Sequence, residues 1–175
     1  MDIFTTLVIY VLGMLAVMIV IFNGLFYGAM YTRISRKRLR KLVELGKLKE
    51  NMVVYDLGAG FGRIMFEAAK SGANVVGYEV DQVKVYWIQQ QIKKKLLLSN
   101  GLLNMSVIHD NLLNADLSVA DVVYCYLAPG IMEKLGQKAV REMKHGSRLI
   151  SAEHRINMLK PVYEDGIDKI YMYQF

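Results

Sequence analysis

Residues 53–62 read Val53-Val54-Tyr55-Asp56-Leu57-Gly58-Ala59-Gly60-Phe61-Gly62. A β-branched apolar run that ends in an acid and passes into spaced glycines marks a strand turning sharply into a helix. Glycine there lets the backbone turn tightly and approach a ligand with no Cβ in the way. The dinucleotide pattern spaces its glycines G-x-G-x-x-G after a strand; this chain has G-x-G-x-G with an acid two residues ahead of it. A pyrophosphate at a helix N-terminus is poorly served by a neighbouring anion. Asp56 therefore points to a ligand that carries positive charge. Glu79 stands 23 residues after Asp56, at the end of the apolar run Val75–Val80. A carboxylate at that place can accept hydrogen bonds from both hydroxyls of a ribose.

An adenosyl ligand with an ammonium and a sulfonium satisfies both acids, and S-adenosylmethionine is such a ligand. Outward from the loop, the pattern alternates strand and helix. Strands are predicted over Met52–Asp56, Val75–Val80, Met105–His109, Asp121–Tyr126, Ser147–Ala152 and Ile167–Phe175. Helices are predicted over Phe61–Ser71, from Asp81 to Lys95 with a stop at Asn100-Gly101, and from Pro129 to Met143. This order predicts an α/β fold with a Rossmann-like, doubly wound, mostly parallel sheet over residues 51–175.

Upstream, residues 3–31 contain no Asp, Glu, Lys, Arg or His. As a helix they reach roughly 43 Å, longer than the ~30 Å hydrocarbon core of a bilayer. The run is too long for a signal peptide, and its charges follow rather than precede it. It is expected to be one retained transmembrane helix through the lipid bilayer. Residues 33–50 carry eight basic side chains against Glu44 and Glu50. That asymmetry predicts a single-pass membrane protein with its C-terminal domain on the cytoplasmic side, or the equivalent matrix side. Residues 32–50 read as a basic amphipathic juxtamembrane helix, with its charged face toward anionic headgroups. Gly24 and Gly28 form a small-xxx-small pair that a homodimer could use.

The chain has 175 residues, 54% of them hydrophobic, with mean hydropathy +0.24, and the 3–31 run accounts for the excess. A disordered tail, a disulfide scaffold and a multi-span transporter are excluded. Cys125 is the single cysteine, so the fold needs no oxidising compartment. His109, His145 and His154 lack metal-ligand spacing, and no metal is expected.

At this point the sequence resembles the class I S-adenosylmethionine-dependent methyltransferases. VVYDLGAGFGRI, VVGYEV, VIHDNLLNADLSVADVVYCYL and GSRLISAEHRI look like the small archaeal protein lysine methyltransferases. They also look like the mitochondrial enzymes that methylate a lysine of the ATP synthase c-subunit. The resemblance covers roughly residues 45–175. It implies that Asp56, Gly58 and Gly60 contact the methionine part of S-adenosylmethionine, with Ala59 and Gly62 also binding the cofactor. Glu79 would take the ribose, with Asp110 and Asn111 beside the adenine. Tyr126, after the fourth strand, and Glu153, after the fifth, are the implied catalytic residues.

It further implies a protein substrate at a membrane. Relatives usually carry a Pro-Tyr-Val-Pro segment ahead of the first helix, and many have Asp where Phe61 stands; this chain has neither. The Ile170–Phe175 strand leaves little for a last hairpin. Tyr126-Leu127-Ala128-Pro129 is not the Asn/Asp-Pro-Pro-Tyr segment of nucleic-acid adenine methyltransferases, and no nucleic acid is expected as partner. A tethered cofactor-binding module without transferase activity, and an RNA methyltransferase, are the alternative readings.

Overall fold

In the computed structural model, residues 2–26, 34–98 and 104–175 are described. They form two compact units, residues 1–33 and 34–175. The first unit is helix α1, Ile3–Phe26, whose 24 residues extend about 36 Å. Asp2 caps it by accepting the Thr5 N–H at 2.6 Å. α1 is long and apolar enough to cross a bilayer, and no residue of Ile3–Val20 is buried. Gly28 of the small-residue pair lies outside the described residues, as does the expected stop at Asn100-Gly101.

The second unit holds a seven-stranded sheet of order β3-β2-β1-β4-β5-β7-β6. Its strands are β1 Val53–Leu57, β2 Asn74–Glu79, β3 Met105–His109, β4 Val122–Cys125, β5 Arg148–Ala152, β6 Tyr163–Asp165 and β7 Ile170–Gln174. β1 to β5 pair in parallel, and β7 runs antiparallel to both β5 and β6. This is the doubly wound, mostly parallel α/β sheet that the sequence pattern predicts. The short β6–β7 hairpin is a correction: the C-terminal residues do complete one, because a three-residue β6 suffices to cover the β7 edge.

Alternate side chains of each central strand go to opposite faces, as the two-residue period requires. Val54, Val122, Tyr124, Ile150 and Ala152 meet one face with helices α2 (Arg36–Leu45), α3 (Arg63–Ala68) and α4 (Gln82–Leu98). Tyr55, Leu57, Val123, Cys125 and Leu149 meet the other with α5 (Pro129–Glu142). Cys125 is fully buried there, and burial pushes its thiol up, so it packs as a small apolar residue. α3 is shorter than predicted, with a single 3-10 turn at Ala69–Ser71 completing it before Gly72 reverses the chain.

Residues 36–45 pack with the sheet that follows them. α2 belongs to the domain. Ser35 caps it through the Arg38 N–H at 3.2 Å, and Leu39 and Leu42 are buried in the core. The Val43 carbonyl accepts the Tyr124 hydroxyl at 2.9 Å and the Gly46 carbonyl accepts Arg148 at 3.0 Å. Lys41 is paired with Asp165 and, at 2.9 Å, with Asp168. These partners lie along β4, β5 and the final hairpin. They make α2 antiparallel to the parallel strands, starting at their C-terminal edge and ending at their N-terminal edge. Since Leu42 is wholly buried, Leu42→Ala should cost about 2–4 kcal/mol. Urea unfolding in detergent micelles, followed by circular dichroism, measures it; a helix merely lying on lipid would show no such loss.

Candidate functional site

Parallel strands leave a crevice outside their C-terminal ends, where the chain order reverses between β1 and β4. The Gly58–Gly62 loop lies there. Gly58 and Ala59 both donate their N–H groups to the Tyr78 carbonyl, at 2.9 and 3.0 Å. Gly58 (φ 78°) and Gly60 (φ 56°) are left-handed, a region that suits glycine. A Cβ on Gly58 would also lie 2.5 Å from the Leu127 side chain. The turn is closed by Gly62, whose carbonyl accepts the Phe66 N–H at 2.8 Å as α3 begins.

Both predicted acids come to this loop. Asp56 is 2% exposed, and among the described residues its carboxylate accepts only a 3.3 Å bond from the Met65 N–H at the start of α3. Burial pushes Asp56 up to about 7; the Met65 amide opposes the shift and the Glu79 charge adds to it. Glu79, 7% exposed, accepts from Gly60 N–H at 2.7 Å and from Asp81 N–H at 3.0 Å. Neither carboxylate makes an ion pair among the described residues. Two buried acids without a counter-ion beside a loop with three glycines fit a ligand bearing an ammonium and a sulfonium. They do not fit a diphosphate.

The Asp110 N–H donates to the Glu79 carbonyl at 3.2 Å, which brings the end of β3 to the same rim. Asp110 accepts from Asn111 N–H at 2.6 Å and from the Asn114 side chain at 2.8 Å. Asn111 is exposed and caps the next turn through Leu113 N–H at 3.0 Å. These two residues therefore border the loop rather than bury into it.

Tyr126 and Glu153 are brought together by a residue that sequence reasoning does not single out. Arg38 of α2 lies over the Tyr126 ring, 5.4 Å from its centre. It donates to Glu153 at 2.9 Å and to the Lys169 carbonyl at 3.0 Å. Lys169 itself reaches the other Glu153 oxygen at 2.6 Å. Lys169 first, then Arg38, holds the Glu153 carboxyl below the usual carboxylate range. The Tyr126 hydroxyl and the Arg38 Nε are buried with no hydrogen-bond partner among the described residues. Arg38 is one of eight basic residues in its stretch, and its partner stands 115 positions away. No local signal distinguishes it.

A cavity of about 420 Å³ lies at the opposite, N-terminal edge of the sheet, lined by Lys47, Lys49, Asp121, Lys144 and Arg148 among others. It is separate from the glycine loop. Lys144 is paired there with Asp121 at 2.6 Å.

Known proteins match this chain over the same region. The model of the ANTKMT methyltransferase domain matches residues 56–163. A protein-lysine N-methyltransferase of Saccharolobus islandicus (strain REY15A) is 32% identical over 133 residues, 75% of this chain and 80% of that protein. The human lysine N-methyltransferase of the ATP synthase c-subunit is 26% identical over 141 residues, 79% of this chain and 58% of that enzyme. Among solved structures, an RNA methyltransferase from Salinibacter ruber with S-adenosyl-L-homocysteine superposes with TM-score 0.73 at 27% identity. That match covers 82% of this chain and 93% of the other. The match to the domain model begins at Asp56 itself and runs through every strand end that borders the loop. With the sheet order and the unpaired acids pointing the same way, the chain belongs to the ANTKMT methyltransferase domain family and is an S-adenosylmethionine-dependent methyltransferase.

Proposed function

We propose that this enzyme methylates the side-chain amine of a lysine on a protein at or in a membrane, from a domain on the cytoplasmic side. The names of the archaeal and human relatives support a lysine acceptor. The 24-residue apolar helix α1, followed by basic residues, supports a membrane location. The carrying observation is the Tyr126 hydroxyl, just beyond β4, buried and without a hydrogen-bond partner among the described residues. It is a hydrogen-bonding group in want of a partner, and an acceptor amine is one.

When bound, S-adenosylmethionine supplies a methyl group on a sulfonium. Asp56, Gly58, Ala59, Gly60 and Gly62 are assigned to its methionine end, Glu79 to the ribose, and Asp110 and Asn111 to the adenine side. The protein's own work is placement and exclusion of water. A lysine ammonium must release a proton to solvent before its nitrogen can attack, and the Tyr126 hydroxyl then accepts an amine N–H and orients the lone pair. Glu153, already held by two cations, is a positioning residue: it keeps Arg38 against the Tyr126 ring.

Incubation with radiolabelled cofactor and the host's membrane and soluble fractions tests the reading. Label on lysine in a membrane protein is expected; label only in RNA, or cofactor binding with no turnover, overturns it. By calorimetry, Glu79→Ala and Gly60→Val should each lose cofactor affinity by at least about tenfold, the cost of a lost charged hydrogen bond or of a Cβ at a left-handed position. Tyr126→Phe should lower kcat about tenfold while changing cofactor affinity less than about twofold.

Asp56 gives a pH dependence of known sign. Its folded value lies near 7, so the carboxylate that favours a cation forms as pH rises through that value. Cofactor affinity should therefore rise from about pH 6 to about pH 7.5 and be flat over that range in Asp56→Asn. A wild-type profile as flat as the variant's removes Asp56 from the site.

A further inference from the structure

α4 follows β2 and so begins at the C-terminal edge of the sheet, where the glycine loop lies. Its buried face is Val85, Ile88 and Ile92. The opposite face opens with Val83, Tyr86 and Trp87, spaced i, i+3, i+4, which are 75%, 63% and 40% exposed. Phe61 of the glycine loop packs edge-on against Trp87, with ring centres 5.4 Å apart. Single exposed apolar residues need no explanation. Here three aromatic rings and a valine share one rim of the domain.

The same rim is where the chain enters. The Ile34 carbonyl accepts a hydrogen bond from Arg63, two residues beyond Phe61. Arg36, Lys37 and Arg40, in the first turns of α2, are exposed and make no ion pair among the described residues. Arg38 and Lys41 of the same helix are committed to the domain. The catalytic edge thus carries amphipathic aromatic rings together with uncommitted cations. Tyr and Trp favour the boundary between headgroups and acyl chains, and Lys and Arg favour anionic headgroups.

We infer that the rim formed by Phe61, Val83, Tyr86 and Trp87, with Arg36, Lys37 and Arg40, is a docking surface for an anionic bilayer. It seats the methyl-transfer edge at headgroup level. The inference rests on the membrane reading proposed above and adds an orientation to it: the crevice faces the lipid, so acceptor lysines are those that protrude close to the headgroups.

Trp87 is the chain's single tryptophan, which makes it a selective reporter. The full chain is reconstituted into phosphatidylcholine–phosphatidylglycerol vesicles, and Trp87 emission is read with lipids brominated at graded depths and with aqueous iodide. Flotation after alkaline carbonate washing reports the anchor separately. The expected result is a blue-shifted emission, quenched most by bromines nearest the headgroup and shielded from iodide. The Val83→Asp/Tyr86→Asp variant should lose the blue shift and the bromine quenching while still floating. A chain that floats yet leaves Trp87 open to iodide and untouched by brominated lipid overturns the docking surface and leaves the anchor standing. A chain that does not float overturns both. Shielding that appears only after a membrane protein substrate is added assigns the rim to that protein and overturns the lipid assignment.

Discussion

The hydrogen bond from the Gly60 amide to the Glu79 carboxylate, 2.7 Å long, is the contact on which the candidate site depends. It joins the end of β2 to a loop that begins at the end of β1, and so sets how wide the crevice between the strands stands. The second Glu79 oxygen holds the Asp81 N–H, and Asp81 in turn caps α4 through Val83 N–H at 2.9 Å. One side chain thus governs the loop, the strand end and the helix start. Asp56 lies on the opposite side of the same turn, tied to α3 through the Met65 amide. The acids are buried for a geometric reason: each closes a backbone donor that the turn would otherwise orphan. Their negative charge is then available to a cationic ligand.

A second framework lies at Tyr126, just beyond β4. Arg38, Glu153 and Lys169 form a chain of charges around Tyr126. Glu153 and Lys169 both adopt left-handed backbone conformations, with φ 72° and 47°, and the Glu153 N–H donates to the Lys169 carbonyl at 2.8 Å. Strain of this kind persists only where the surroundings over-determine it. Here the ion pairs and the β5–β7 ladder do so.

Most of the central sheet is legible in the sequence because its signals are local. The run from Val53 to Gly62 announces a strand, an acid and a turn within ten residues, and Met105–His109 alternates as a strand and is one. Asp56, Gly60 and Glu79 stand out for the same reason. What escapes is written in pairs distant along the chain. Nothing in Arg36–Leu45 distinguishes a helix lying on lipid from one docked on β5, since both require an apolar stripe between basic residues. Arg38 and Lys41 reveal the difference only through Glu153, Asp165 and Asp168. β6 spans three residues, Tyr163–Asp165, too few for alternation to register. The left-handed backbone at Glu153 has no residue-type signature, unlike the glycines of the loop.

The long reach of the α2 contacts shapes how the molecule is made. Synthesis runs from the apolar helix onward, so α2 emerges early, before the elements that hold its far end exist. Tyr124, Arg148, Glu153, Asp165 and Asp168 are the groups that fasten it, and all belong to the last third of the chain. Until they are translated, Leu39 and Leu42 lack the Tyr124, Ile150 and Ala152 part of the core they pack with. Closure of the domain over α2 is then a late event, completed only when β7 pairs between β5 and β6.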